Sequence, residues 1–136
     1  MLQLVVLNVK QVLQIHDHII GKNELQGLAK DKSLDAVLER VHNRLQYGFI
    51  ADVFDLAACY ATFIAKGHCF NDANKRTAAA ALYFALSANS IHIEFTDLSL
   101  GKLIVDVATD QMTEVELAAW LRSQVSNAKS KTRLPS

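Results

Sequence analysis

Apolar residues recur along this chain at helical spacing, in blocks separated by short polar stretches. In VKQVLQIHDHIIG, the residues Val9, Val12, Leu13, His16, Ile19 and Ile20 share one face, and Asn8 is placed to cap the helix they predict. Gly21 to Lys32, GKNELQGLAKDK, is the longest polar, glycine-bearing connection. Ser33 then caps LDAVLERVHNRLQYG, with Leu34, Val37, Leu38, Val41 and Leu45 on one stripe and Gly48 at its end. The third block, VFDLAACYATFIAK, is apolar nearly all round, which marks a central helix. Asp52 is its cap, Asp55 suits the positive end of its dipole, and Gly67 is a natural left-handed stop. A fourth helix starts after Asp72 and runs through AAAALYFALSA to about Ala88. IHIEF, Ile91 to Phe95, alternates like a short strand, with LQLVVL near the N-terminus as its one available partner. Asp97 caps a fifth helix to about Ala108, and Thr113 with Glu116 forms a capping box for a sixth. The pattern predicts an all-α fold: a compact bundle of about six helices with at most a very short β pairing. It forms one domain over residues 1–126, followed by a tail, 127–136, read as disordered.

Composition narrows the class. The chain has 136 residues, enough for one domain with a real core, and just over half are apolar. Its 14 basic and 14 acidic residues balance, so charge gives no argument for a nucleic-acid or membrane partner. No apolar run approaches the roughly 18–20 residues of a membrane span, and MLQLVVLNVKQ lacks the organisation of a signal peptide. Cys59 and Cys69 fall inside predicted helix and motif segments with no metal spacing. A soluble protein of a reducing cytoplasm is the simplest expectation.

The candidate chemistry lies in GHCFNDANKRTA, a polar run wedged between the two most apolar blocks. Asp72, Ala73, Asn74 and Lys75 lie at the start of the fourth helix. There, backbone N–H groups lack intrahelical partners and carry partial positive charge, which favours an anion. Lys75 and Arg76 in that first turn run against the dipole, at about 0.3–1 kcal/mol per charge. This placement makes sense if phosphate is bound. Asp72 beside such a cradle suits Mg²⁺, which takes one or two carboxylates plus phosphate oxygens. His68 can take a proton at neutral pH. Together these residues are the kit for phosphoryl or nucleotidyl transfer to a hydroxyl. Singly they are ordinary: Asp72 alone reads as an N-cap, Lys75 and Arg76 as solvated charges, His68 as a loop histidine.

HCFNDANKRTA resembles the signature of the Fic/Doc superfamily, H-x-F-x-[D/E]-x-N-x-R-x-x-R, with matches at His68, Phe70, Asp72, Asn74 and Arg76. Lys75, where most Fic proteins have glycine, is the form typical of the Doc (death-on-curing) toxins, and the resemblance extends from about residue 4 to 126. Most Fic proteins transfer AMP from ATP to a hydroxyl; Doc-like members transfer the terminal phosphate. The resemblance implies that His68 is the base, that Asp72 holds Mg²⁺, and that Asn74, Lys75 and Arg76 hold phosphates of ATP. Lys66 is a weaker phosphate candidate. The second arginine of the signature is replaced by Ala79, which with Lys75 argues for phosphate transfer. The nearest match to an inhibitory Fic helix is Ser90 to Glu94, but Phe95 follows it, so no built-in inhibitor is expected. The implied partner is a Phd-type antitoxin whose disordered C-terminal segment folds as a helix into a groove. The implied target is a threonine of elongation factor Tu. An AMP transferase and a non-enzymatic binding module are the alternatives.

Outside the motif, His16 on an apolar face reads as a hydrogen-bonded core histidine, though a role near the motif is open. Phe70 is expected to point inward and pin the loop, and Cys69 to pack. Arg40 and Arg44 read as a solvated face, Trp120 as an anchor of the last helix, and His18, His42 and His92 show no metal spacing.

Overall fold

The computed structural model describes residues 3–95 and 97–132, without the side chains of residues 97, 98 and 126–132. Among the described residues six helices follow one another: α1 (Val9–Ile19), α2 (Leu34–Gln46), α3 (Val53–Gly67), α4 (Asn74–Ala88), α5 (Asp97–Ala108) and α6 (Glu114–Thr132). Several start where a local polar pair closes the first turn. Asn8 Oδ1 accepts from the Gln11 amide and Gln11 Oε1 from the Asn8 amide, both at 2.8 Å. Ser33 Oγ accepts from Ala36 N at 3.1 Å, and Asp52 Oδ1 from Asp55 N at 2.9 Å. Thr113 and Glu116 form the expected box at 2.9 and 3.1 Å. The side chain of Asp97, the expected cap of α5, lies outside the described residues. α6 runs to Thr132, so its backbone enters the segment read as a tail.

The core is built on α3. Leu56 through Ala61 are each fully buried, as an all-round apolar helix requires. α3 packs most extensively on α4, and α2, α5 and α6 cover its other sides. The fully buried Ala78, Ala81 and Ala85 let the two backbones approach closely. α1 lies against α4 and so reaches the motif that opens it. Trp120 is half-buried and stacks on Phe95 at 5.9 Å. Arg44 is not simply solvated: it pairs with Glu114 and lies 5.2 Å from the centre of the Phe63 ring. Among the described residues no helix is long and apolar enough to cross a membrane.

The expected pairing of IHIEF with LQLVVL is absent among the described residues: neither residues 3–7 nor Ile91–Phe95 form a strand. Ile91, Ile93 and Phe95 do share a half-buried face, but that face lies on the helices rather than in a sheet. The N-terminal segment is instead tied to the end of α4 by one carboxamide. Asn89 Oδ1 accepts from Val5 N at 2.7 Å and Asn89 Nδ2 donates to Val5 O at 2.9 Å, which gives one residue the bonds a ladder would have supplied.

Candidate active site

α3 ends at Gly67, but the residue that turns the chain is His68, with φ 50° and ψ 40°. The expectation that Gly67 is the left-handed stop is therefore corrected. Glycine there leaves room beside α2, since a Cβ would crowd Val37 Cγ2 at 3.0 Å. His68 pays for the turn with modest strain, histidine being among the residues enriched in this region, and its exposed side chain is thereby carried on the rigid end of a core helix.

The loop that follows is held from inside. Phe70 is buried, as expected. The carboxamide of Asn74 closes on its backbone: Phe70 N donates to Asn74 Oδ1 at 3.0 Å and Asn74 Nδ2 donates to Phe70 O at 2.9 Å. Asn74 thus shapes the loop with its side chain, leaving its backbone N–H for a ligand. From α1, the buried His16 stacks on Phe70 with ring centroids 3.8 Å apart, and its Nε2 lies 2.9 Å from Asp72 O. The polar connection between α1 and α2 docks on the other side. Ala29 N donates to Cys69 O at 2.7 Å, Asn71 N to Gly27 O at 3.1 Å, and Asn71 Nδ2 to Gln26 O at 2.9 Å. Leu28 and Phe70 form an isolated antiparallel bridge.

Asp72 is not the cap of α4. That position is Ala73, left-handed at φ 66° and ψ 27°, with no side-chain cap bond. Asp72 Oδ2 instead accepts from Leu25 N at 3.0 Å. The first-turn N–H groups of α4 are therefore left open by side chains, which suits an anion.

His68, Asp72, Lys75 and Arg76 line one cleft of about 270 Å³, together with Glu24, Asn71, Ala73 and Asn74. Arg76 is ion-paired with Glu24 in this structure. The Glu24 carboxyl is held below its usual range, first by the Gly21 N–H (2.8 Å) and then by Arg76, against burial and the charge of Asp72. The structure does not bring Lys66 into this cleft; its ammonium pairs with Asp110 in the turn after α5. Cys69 is buried, and burial pushes its thiol up, in keeping with a packing role. Burial likewise pushes the Cys59 thiol up to about 12.

Sequence reasoning missed Glu24 and Asn71. Asn71 falls at an unspecified position of the motif, and Glu24 sits in a connection with no periodicity, so only the docking of that connection reveals either.

Lys75 and Arg76 also border a second, mainly apolar groove of about 630 Å³, lined by Ile19, Ala79, Phe95, Leu100 and Ile104 among others. An arginine at position 79 would project there.

Residues 6–86 match the family model described as Fic/DOC family. The chain is also 32% identical over 121 residues to the protein kinase doc of Escherichia phage P1, an alignment that takes in 88% of this chain and 95% of that protein.

Proposed function

Because this chain belongs to the Fic/DOC family, we propose that it is a Doc-like toxin: a phosphotransferase that moves the γ-phosphate of ATP to a protein hydroxyl and thereby arrests translation. One observation carries this reading. An imidazole (His68), a carboxylate (Asp72) and two cations (Lys75, Arg76) converge on one cleft at a helix entrance that no side chain caps. The phage relative is described as a protein kinase, and Lys75 with Ala79 departs from the AMP-transferring pattern in the same direction.

The residues suit ATP and Mg²⁺. Asp72 engages Leu25 N through Oδ2 alone, leaving Oδ1 for a cation, and Mg²⁺ prefers few carboxylates and several phosphate oxygens. When bound, Mg²⁺ supplies positive charge to the phosphate oxygens. Lys75, Arg76 and the open N–H groups of α4 orient the triphosphate with its terminal phosphate toward His68. An imidazole nitrogen of His68 accepts the proton of the target hydroxyl as that oxygen bonds to the γ-phosphorus. The bond to the bridging oxygen breaks and ADP leaves with the electron pair. The target proposed on the resemblance is a threonine of elongation factor Tu, and the proposed keeper is a Phd-type antitoxin, for whose helix an apolar groove beside α4 is a suitable seat. Activity on such a target places the protein in the cytoplasm.

Growth tests the proposal: expression of the protein without antitoxin arrests it, while His68→Ala, losing about 10²–10⁴ in rate, is tolerated at equal soluble level. Equal toxicity of the two removes the assigned role of His68. Incubation with elongation factor Tu and ATP labelled at either phosphate then reads the reaction. Transfer from the γ position supports phosphorylation; transfer from the α position means AMP transfer.

A further inference from the structure

His16 stands outside the cleft and outside the motif, yet it touches the motif twice. Its side chain is 1% exposed. Its ring lies nearly parallel to Phe70, at 7° and 3.8 Å between centroids. Its Nε2 lies 2.9 Å from the carbonyl oxygen of Asp72. A peptide carbonyl only accepts, so Nε2 carries the hydrogen and donates it. Nδ1 is 4.0 Å from Asp17 Oδ1, beyond hydrogen-bond reach.

The choice of acceptor matters. The first helical bond of α4 runs from Thr77 N to the carbonyl of Ala73 at 2.9 Å, so the Asp72 carbonyl lies outside the helix ladder. His16 satisfies it. The same residue is held at its other end by Leu25 N on Oδ2. Asp72 is thus clamped by carbonyl and carboxylate, immediately before a left-handed alanine that no side chain caps. Filling the α1–α4 interface required only an apolar side chain, and a buried polar ring is unfavourable unless bonded. The bond made here reaches Asp72, whose carboxylate lines the cleft beside His68 and Lys75.

We infer that His16 is a positioning residue for Asp72: from α1 it fixes the Asp72–Ala73 turn, and with it the direction of the carboxylate and of the first N–H groups of α4. This rests on the reading of Asp72 as the group that meets Mg²⁺·ATP. His16 touches no substrate.

Three measurements test it. In the unmodified protein, a long-range ¹H–¹⁵N spectrum of His16 is expected to show the hydrogen on Nε2; an Nε2 without hydrogen overturns the inference even if every variant fails to fold. His16→Phe keeps a ring on Phe70 and loses the donor, whereas His16→Gln restores an N–H at similar reach. The Leu25 amide, bonded to Asp72 Oδ2, reports the carboxylate's position. Its exchange is expected to be roughly tenfold faster in His16→Phe and near normal in His16→Gln, with the Ala29 amide unchanged in both. Equal exchange of Leu25 in the protein and in His16→Phe overturns the inference. Finally, His16→Phe is expected to weaken ATP binding with Mg²⁺ about threefold to tenfold, the worth of one hydrogen bond, but not binding in excess chelator, and His16→Gln to recover most of the loss. Wild-type Mg²⁺ dependence in His16→Phe counts against the inference. If the unmodified protein itself binds no Mg²⁺·ATP, the proposed function fails, and the tautomer and the Leu25 amide decide the positioning role alone.

Discussion

The left-handed alanine at the mouth of α4 makes the sign of a substitution depend on where it is placed. Ala73 has φ 66° and ψ 27°. For an L-residue that region costs about 1–2 kcal/mol, and for glycine it costs nothing. Glycine also loses more freedom on folding, by about 0.4–1 kcal/mol. Ala73→Gly is therefore expected to stabilise the protein by about 0.5–1 kcal/mol. Ala78→Gly is the control. It makes the same chemical change inside the same helix, where the backbone is ordinary and the methyl is fully buried. There glycine costs about 1 kcal/mol of helix propensity, and the lost methyl adds about 0.8 kcal/mol. For a domain of this size a kcal/mol moves Tm by roughly 3–5 °C. Thermal and urea unfolding should thus place Ala73→Gly about 2–4 °C above the parent and Ala78→Gly about 5–9 °C below it. An Ala73→Gly protein that melts below its parent would refute the reasoning, because the strain assigned to position 73 would not be there to relieve.

Asp72→Asn keeps an acceptor for Leu25 N and loses only the charge, and Asp72 is no cap, so stability should hold while phosphotransfer falls by at least about a hundredfold; an active Asp72→Asn would remove the metal role. Glu24→Gln removes the carboxylate now paired with Arg76, and titration should show tighter ATP binding; unchanged or weaker binding would mean that Glu24 orients Arg76 rather than competing for it. Tyr60→Phe takes away the hydroxyl that accepts from the buried Leu7 N at 2.8 Å and lies 2.7 Å from His42 Nε2. An orphaned buried N–H costs about 1–3 kcal/mol, so Tm should fall by several degrees, and an unchanged Tm would show that the amide finds another partner. The acid limb of stability should depend on Asp52. Burial works against its charge, but the two hydrogen bonds from Arg122, at 2.9 and 3.0 Å, the Asp55 amide and the Arg122 charge outweigh it, leaving its pKa below the usual 3.8. A lowered folded pKa gives stability that is present above the unfolded value and lost as pH falls through the folded one. Urea titrations should therefore show a decline below about pH 4 that Arg122→Ala flattens, and an equal decline in both proteins would count against it.

What the sequence by itself determined was whatever rests on neighbours a few residues apart. The caps at Asn8, Ser33, Asp52 and Thr113–Glu116 were legible because donor and acceptor lie within one turn. The central place of α3 followed from an apolar run that leaves no polar face. The motif from His68 to Arg76 was legible as a constellation, and its resemblance pointed to the family the chain belongs to. Tertiary structure decided the rest, because each remaining outcome is a contest between a local preference and a distant partner. Gly67 reads as a left-handed stop, but the left-handed residue is His68, and at Gly67 an added Cβ would instead crowd Val37 of α2. Asp72 reads as a cap, but Leu25 N takes its carboxylate and His16 its carbonyl, across 47 and 56 residues of chain. Asn74 turns inward to Phe70, Lys66 turns away to Asp110, and Glu24 arrives beside Arg76 from a connection without periodicity. The alternation in IHIEF recorded a half-buried face correctly, but period alone does not say whether that face meets a strand or a helix. Spacing encodes which side chains point the same way; what they meet is set by the packing of six helices, and it is that packing that places a histidine of α1 beneath the aspartate that opens onto the cleft.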